Sequence, residues 1–217
     1  MIFNIDKPRD ITSFGVVKIV KKITKMKKVG HGGTLDPFAT GVLVIGTEQD
    51  TKKLSSITTS DKDYIAELKL GETTNTLDTE SEVSKKIEVP SVNQNRIITI
   101  LNSFKGNYSQ VPPMFSAKKK NGVRLYKLAR NNISIDRDPI LVKINDIKLI
   151  SFNDDVLSFS VSCSKGTYIR VLGEDIAKKL DTIGYLTNLR RTRVGKFNVQ
   201  DSLTIENFEE NWKRLEN

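Results

Sequence analysis

Alternation of apolar and polar side chains constrains the fold of this chain most strongly. In residues 64–70 (YIAELKL) and 157–163 (LSFSVSC) every second residue is apolar. A period of two indicates a β-strand that buries one face. We therefore expect strands in both segments, and further strands at residues 42–45 and 142–150.

Three other segments, residues 13–28, 92–104 and 168–180, have the apolar spacing of an amphipathic helix. Ser13 is the predicted N-cap of the first helix, and Gly30 its predicted stop. Strands separated by helices, with short polar turns, predict an α+β fold. We expect a mixed, largely antiparallel sheet flanked by helices and loops, in one domain spanning residues 1–217.

Composition excludes several classes of protein. The sequence contains a single cysteine, Cys163, and a single histidine, His31, whereas a structural zinc site usually takes four such ligands. No apolar run reaches the ~20 residues of a membrane helix, and the start, MIFNIDKPRD, does not resemble a secretory signal. We expect a soluble cytoplasmic protein without a metal.

The charge is strongly positive, because 35 Lys and Arg residues outnumber 26 Asp and Glu residues to give +9. A basic protein of this size is either a partner of a polyanion or simply a soluble basic protein. One face of the first predicted helix carries a lysine stripe, which we define as Lys18, Lys21, Lys22 and Lys25. Such a stripe is either a solvated face or a contact for phosphates.

Residues 110–132 (QVPPMFSAKKKNGVRLYKLARNN) form a second basic segment. Its prolines and glycine predict a mobile loop that leaves the sheet. Because basic side chains alternate with Phe115 and Tyr126, an RNA-gripping element is favoured over a plain surface loop.

Residues 30–41 (GHGGTLDPFATG) are the most informative stretch. The glycines suggest a phosphate-binding loop, but neither a following Lys-Ser/Thr pair nor a strand-GxGxxG-helix context is present. What remains is a carboxylate, Asp36, held in a tight turn by Pro37. An Asp-Pro pair alone is usually only a turn.

The stretch GHGGTLDPFATGVL closely resembles the catalytic motif of the TruB family of tRNA pseudouridine synthases. Further blocks resemble the family in the same order along the chain: NIDKP (4–8), KDYIAELKLGETTNTLD (62–78), QVPPMFSAKKKNGVRLYKLAR (110–130), CSKGTYIRVLGEDIA (163–177) and LRRTRVGKF (189–197). The resemblance implies the pseudouridine synthase fold, with residues 110–132 as a thumb loop.

It also implies an activity, the conversion of the uridine at position 55 in the T-arm of tRNA to pseudouridine. The base is flipped out, its glycosidic bond breaks, and C5 is reattached to the ribose. The isomerisation changes neither the oxidation state of the substrate nor the atoms it contains, so no cofactor is expected. The implied partner is the T-arm stem-loop of tRNA. We expect a monomer and assign no protein partner.

The resemblance assigns three catalytic residues. Asp36 matches the catalytic aspartate, which acts either as nucleophile on the ribose or as base at C2′. Arg170 matches the arginine that pairs with this aspartate, and Tyr64 the tyrosine that stacks on the flipped base. Assigned to substrate binding are His31, Lys7, Leu189, the thumb-loop cations Lys118, Lys119, Lys120, Arg124 and Arg130, and, more weakly, Arg190 and Arg191.

The sequence departs from the family pattern in two places. The TxTxDxxG pattern ends in Ser81 where glycine is usual, which is expected to alter only a surface turn. The chain stops at Asn217, so the C-terminal PUA-type RNA-binding domain of many relatives is expected to be missing.

Three alternative functions are considered. A catalytically silent RNA-binding protein would not require Asp36, Tyr64 and Arg170 together. A glycosidase or nucleosidase usually needs two carboxylates flanking the bond. The catalytic subunit of a guide-RNA pseudouridylation complex is disfavoured by the short termini.

Overall fold

A computed structural model describes residues 1–120 and 122–216. Asn121, inside the predicted thumb loop, and Asn217 lie outside the described residues. The chain divides into two compact units, unit 1 with residues 1–65 and 188–217 and unit 2 with residues 66–187.

The strands in chain order are β1 (Ile2–Lys7), β2 (Val29–His31), β3 (Thr40–Thr47), β4 (Lys62–Leu70), β5 (Glu72–Thr74), β6 (Val83–Lys86), β7 (Gly106–Gln110), β8 (Lys119–Lys120), β9 (Val123–Arg124), β10 (Ile140–Asn153), β11 (Val156–Cys163), β12 (Gly184–Val194) and β13 (Phe197–Asn198). The helices are α1 (Ser13–Thr24), α2 (Leu54–Thr59), α3 (Gln94–Asn102), α4 (Leu125–Arg130), α5 (Ile169–Lys179) and α6 (Ile205–Glu216), with 3-10 turns at Glu48–Lys53 and Val199–Asp201.

In unit 1, β3 is the central strand. β1 pairs with it antiparallel from Ile2 opposite Gly46 to Lys7 opposite Gly41, and β12 lies parallel to it on the other side. Helices α1 and α6 cover one face of these strands, and the core there consists of Ile5, Val16, Val17, Val20, Leu43, Ile45 and Phe208. The loop between β2 and β3, residues 32–39, is thereby fixed at both ends.

Gly41 shows how closely β3 and β12 approach each other. Its φ is +103°, and a Cβ there would lie 2.2 Å from the carbonyl oxygen of Arg191. Any side chain would therefore collide with the backbone of β12.

In unit 2 the strand order is β4-β11-β10-β7, and β10 pairs antiparallel with both β11 and β7. Helices α3 and α5 bury their apolar faces, with Ile97 and Leu101 on the first and Leu172 and Ile176 on the second. The short strands β5 and β6 form a separate antiparallel pair. The predicted α+β architecture, with mixed and largely antiparallel strands flanked by helices, is confirmed.

The four predicted strands are all present, as β3, β4, β10 and β11, and each is longer than predicted by one or more residues. The helices predicted at 92–104 and 168–180 are α3 and α5, within two residues at each end. Tertiary pairing extends a strand beyond the residues whose side chains alternate, which explains the difference in length.

The first helix begins at Ser13 as predicted, but its end and its N-cap were predicted wrongly. It stops at Thr24 because Lys25 is left-handed, with φ of 55°, and Gly30 lies in β2 instead. The N-cap is Thr12, whose side chain accepts a hydrogen bond from the Gly15 amide.

The segment predicted as a mobile loop, residues 110–132, contains ordered elements. β8 and β9 form a small antiparallel hairpin, in which Lys119 lies opposite Arg124. Helix α4 follows it directly. The lysine stripe of α1 is exposed as predicted.

Candidate active site

The loop of residues 32–39 presents Asp36 on unit 1. The carbonyl oxygen of Asp36 accepts a 3.1 Å hydrogen bond from the amide of Ala39, with Pro37 at the second position of this turn. A proline there presets the backbone angle that the turn requires. The Asp36 side chain is partly exposed, so a substrate can reach it.

The buried side chain of Lys7 binds the backbone of this turn. Its side chain is 0% exposed, and its Nζ donates to three carbonyl oxygens, those of Pro8 at 2.8 Å, Ile11 at 2.7 Å and Pro37 at 3.0 Å. A buried ammonium group needs such acceptors to offset its lost hydration. Lys7 was predicted to bind substrate, and its position favours a supporting role for it.

Ser13 fixes the residue on the other side of Asp36. Its hydroxyl donates to the carbonyl oxygen of Leu35 at 2.9 Å and accepts from the amide of Leu35 at 2.8 Å. Both atoms are buried. Ser13 was predicted to be the N-cap of α1; it is the first residue of the helix and binds the Asp36 loop instead.

Arg191 holds the beginning of the same loop. It is 1% exposed, and its guanidinium donates to the carbonyl oxygens of Gly33 at 3.1 Å, Thr34 at 3.2 Å and Val42 at 2.8 Å. These donors are used within the protein, which places Arg191 with Lys7 as a support of the loop. Together the three side chains fix the backbone on both sides of Asp36.

His31 ends β2, immediately before the loop. Burial lowers the pKa of its imidazole below 6.5, a backbone hydrogen bond to Gly33 opposes this effect, and the nearby Arg191 charge lowers the pKa further. The side chain is therefore neutral at neutral pH.

Tyr64 lies on the buried face of β4, as its alternation predicted. Two contacts fix the start of this strand. The Nζ of Lys62 donates to the carbonyl oxygens of Thr58 and Ser60 at 2.7 and 2.5 Å, and Arg193 forms a bidentate pair with Asp63 at 2.5 and 2.9 Å.

The two remaining candidates on unit 1 are on β12. Leu189 is buried, as an apolar wall would be. Arg190 is partly exposed and donates to both carboxylate oxygens of Asp6, at 3.1 and 2.7 Å, and to Oγ1 of Thr40 at 3.2 Å.

Arg170 lies in the first turn of α5 in unit 2 and is 3% exposed. Its guanidinium donates to the carbonyl oxygens of Thr76 at 2.6 Å and Phe115 at 2.9 Å, and lies 3.4 Å from the carboxylate of Asp78. Sequence reasoning missed Asp78 as a partner of Arg170. The available signal was its place as the last residue of the block KDYIAELKLGETTNTLD.

Ser81 does more than alter a surface turn. Its Oγ accepts a 3.2 Å hydrogen bond from the Thr76 amide and lies 2.9 Å from Thr76 Oγ1. Glycine could make neither contact. The serine thus supports the segment whose carbonyl oxygen binds Arg170.

The thumb-loop cations also belong to unit 2. Lys118, Lys119, Arg124 and Arg130 are exposed, and Arg130 lies over the Tyr126 ring at 5.5 Å from its centroid. Lys120 is partly buried and donates from Nζ to the carbonyl oxygen of Asp136.

The candidates thus divide between the units. Asp36, Tyr64, His31 and Leu189 are in unit 1 with the supports of the Asp36 loop, and Arg170 is in unit 2 with the thumb-loop cations. The pairing of Arg170 with Asp36 stays a prediction.

Within residues 1–120 and 122–216, no group of three His, Cys, Asp or Glu side chains could hold a metal ion. Over the same part of the chain, no helix is both long and apolar enough to cross a membrane.

Two family descriptions together match most of the chain. Residues 21–169 match "TruB family pseudouridylate synthase (N terminal domain)". Residues 170–217 match "tRNA pseudouridylate synthase B C-terminal domain".

Several curated relatives of this chain are described as tRNA pseudouridine synthase B. The protein from Desulfotalea psychrophila is 48% identical over 210 residues, 94% of this chain and 85% of the relative. The one from Clostridium tetani is 44% identical over 96% of this chain and 72% of the relative. The one from Ureaplasma urealyticum is 41% identical over 99% of this chain and 94% of the relative.

Solved structures share the fold. A Cbf5-Nop10-Gar1 complex matches with a TM-score of 0.79 at 27% identity, over 99% of this chain and 55% of the solved chain. An H/ACA RNP bound to a substrate RNA containing 2′-deoxyuridine matches with a TM-score of 0.74 at 26% identity, over 100% of this chain and 55% of the solved chain. The chain therefore spans about half the length of these solved chains, and the predicted pseudouridine synthase fold is confirmed.

Proposed function

Because this chain belongs to the TruB family of tRNA pseudouridine synthases, and is an isomerase that acts on uridine in tRNA, we propose that its target is the uridine at position 55 in the T-arm and that Asp36 is the catalytic carboxylate. The observation that carries this proposal is the fixed backbone around Asp36. Lys7, Ser13 and Arg191 bind the residues on both sides of it and leave its side chain partly exposed.

In the proposed reaction the C1′–N1 bond breaks, the base turns within the site, and C5 bonds to C1′. The proton on C5 is lost and N1 gains one, so atoms and electrons balance within the substrate. Asp36 either attacks C1′, as the bond to N1 breaks, and is displaced when C5 bonds to C1′, or takes the proton from C2′ and returns it when C5 bonds to C1′. Either role requires its oxygen at a set distance from the ribose, which a held loop provides.

Tyr64 is proposed to stack on the flipped base. Extruding a base costs a few kcal/mol, and stacking on an aromatic ring returns about 1 to 3 kcal/mol. The fixed start of β4 supports this role, because Lys62 and the Asp63–Arg193 pair hold the strand immediately before Tyr64.

Arg170 is proposed to pair with Asp36 and keep it ionised. Its guanidinium is held by two backbone carbonyl oxygens, and the Asp78 carboxylate lies near it. Such a set of neighbours fixes the direction of the guanidinium plane.

The substrate is proposed to be held from several sides. His31 and Leu189 would line the base pocket, and Arg190 would reach a phosphate. The thumb-loop cations Lys118, Lys119, Arg124 and Arg130 are exposed, as a clamp on RNA requires. The lysine stripe on α1 would add further phosphate contacts.

We further propose that the enzyme works as a monomer in the cytoplasm, without a metal or cofactor. An isomerisation transfers no electrons to or from the protein, so the chemistry needs neither.

The test maps the product by chemical labelling of pseudouridine, with a tRNA transcript and an isolated T-arm hairpin as substrates. The label is expected at position 55 of both. RNA recognition generally targets a loop and the shape of its adjoining helix, so kcat/KM for the hairpin should lie within about a hundredfold, or ~2.7 kcal/mol, of that for the transcript.

The matched control has cytidine in place of the target uridine and should remain unlabelled. A label elsewhere in the transcript, or none at position 55, would overturn the proposed target. A larger loss on the hairpin would show that the enzyme reads distant parts of tRNA.

A further inference from the structure

Helix α1 carries an exposed aromatic ring in line with the lysine stripe. Phe14 is 61% exposed and is followed by Lys18 and Lys21 at intervals of four and seven residues. These intervals place all three side chains on one side of the helix. The opposite side is buried in the unit 1 core through Val16, Val17 and Val20.

Phe14 stands at the end of this row nearest the Asp36 loop. The neighbouring Ser13 is bonded twice to Leu35, which precedes Asp36. Lys21 lies about 10 Å further along, from the helical rise of 1.5 Å per residue. The row therefore begins with an aromatic ring at the end of α1 that adjoins the Asp36 loop. The residues that follow it along the row, away from that loop, are lysines.

A single exposed phenylalanine is ordinary on a protein surface. Two observations make this one different. The Nζ of Lys18 lies over its ring at 5.3 Å from the centroid, so the ring is accompanied by a cation. The ring also belongs to a basic face, whose charge is complementary to RNA.

We propose that Phe14 is a stacking platform for an unpaired nucleotide next to the flipped uridine, and that the lysine stripe follows the phosphates leading away from it. This inference rests on the proposed function, because it needs a loop nucleotide beside the target. Removing the target base from its stack leaves its neighbour without a partner. An aromatic ring at the rim of the site would supply one.

The test uses T-arm hairpins in which 2-aminopurine replaces, one at a time, each unpaired nucleotide other than the target. Fluorescence of this base is quenched on stacking. The enzymes are wild type, Phe14→Ala, Phe14→Leu, Phe14→Tyr and, as control, Leu215→Ala, which removes a 77% exposed apolar side chain from α6.

One loop position is expected to be quenched by wild type and by Phe14→Tyr, and not by Phe14→Ala or Phe14→Leu. Phe14→Ala should lower kcat/KM about tenfold, equivalent to ~1.4 kcal/mol, mainly through KM. It should leave the slope of binding against salt unchanged, because it removes no cation. Leu215→Ala should match wild type in every measurement.

The inference is overturned if no quench depends on the ring, or if Phe14→Ala behaves like Leu215→Ala. Its failure is distinguishable from failure of the proposed function. If wild type converts the target uridine and Phe14→Ala is equally active, only the stacking role of Phe14 is contradicted. If wild type does not convert the target uridine, the proposed target itself is contradicted.

Discussion

The ammonium group of Lys7 donates a 3.0 Å hydrogen bond to the carbonyl oxygen of Pro37, the residue that follows Asp36. Lys7→Met keeps most of the volume and removes the charge, which leaves three part-buried carbonyl oxygens without this donor, although that of Pro37 keeps the amide of Asp10 at 2.9 Å. Since each unsatisfied buried group costs about 1 to 3 kcal/mol, the free energy of unfolding should fall by at least ~2 kcal/mol. Urea denaturation measures it.

Lys18→Met is the matched control, because it makes the same change at an exposed position. It should change the free energy of unfolding by less than ~0.5 kcal/mol. A Lys7→Met protein as stable as wild type would show that the loop does not depend on this ammonium group.

The sequence predicted the parts of the fold that depend on local pattern. The period of two in residues 64–70 and 157–163 identified β4 and β11 and placed Tyr64 on the buried face. The end of α1 was missed because Lys25 adopts a left-handed conformation. The amides of Lys27 and Lys28 then bind the carboxylate of Glu48, a contact made across 20 residues or more.

The candidate site was predictable in part, through the motif around Asp36 and not through its supports. The family resemblance assigned Lys7 and, more weakly, Arg191 to substrate binding, although lysine and arginine are rarely buried. They are buried here because backbone carbonyl oxygens brought together by tertiary structure accept their protons. Likewise, the contact of Ser13 with Leu35 joins residues 22 positions apart, which no local pattern records.

Binding of tRNA should depend strongly on salt. The logarithm of the binding constant falls by about 0.7 to 0.9 per log unit of salt for each phosphate neutralised, so replacing Lys18 and Lys21 with glutamine should lower the slope by about 1.4 to 1.8. Fluorescence anisotropy between low and physiological salt measures the slope. The control is Lys213→Gln on α6, where Lys213 pairs with Glu209 at 2.7 Å, and it should leave the salt slope unchanged. An equal change of slope in the double variant and in the control would contradict a role of the lysine stripe in binding phosphates.

Stability should fall as the pH drops below about 6.5, the ordinary pKa of histidine. Burial lowers the pKa of His31 in the folded protein. Below pH 6.5 the unfolded chain therefore binds more protons than the folded protein, and acid stabilises the unfolded state. One proton limits the slope to ~1.4 kcal/mol per pH unit. His31 is the only histidine, so denaturation midpoints at pH 7 and 5 isolate it.

His31→Gln should flatten this part of the profile. An equal loss of stability at pH 5 in His31→Gln and wild type would mean that another group is responsible. The carboxylates contribute equally to both proteins, so the difference between His31→Gln and wild type reports His31 alone.

The central claim is that Asp36 does the chemistry, and Asp36→Asn tests it most directly, since it removes the ionised oxygen at almost constant shape. Asp154→Asn is the control, because it makes the same change in an exposed left-handed turn with φ of 54°, where asparagine is tolerated. The measurement is single-turnover formation of pseudouridine in a T-arm hairpin, with binding measured alongside. We expect the rate of Asp36→Asn to fall below about a hundredth of the wild-type rate, while its affinity for the hairpin stays within a few-fold of wild type. Asp154→Asn should match wild type in both measurements. An Asp36→Asn rate above a tenth of wild type would contradict the account.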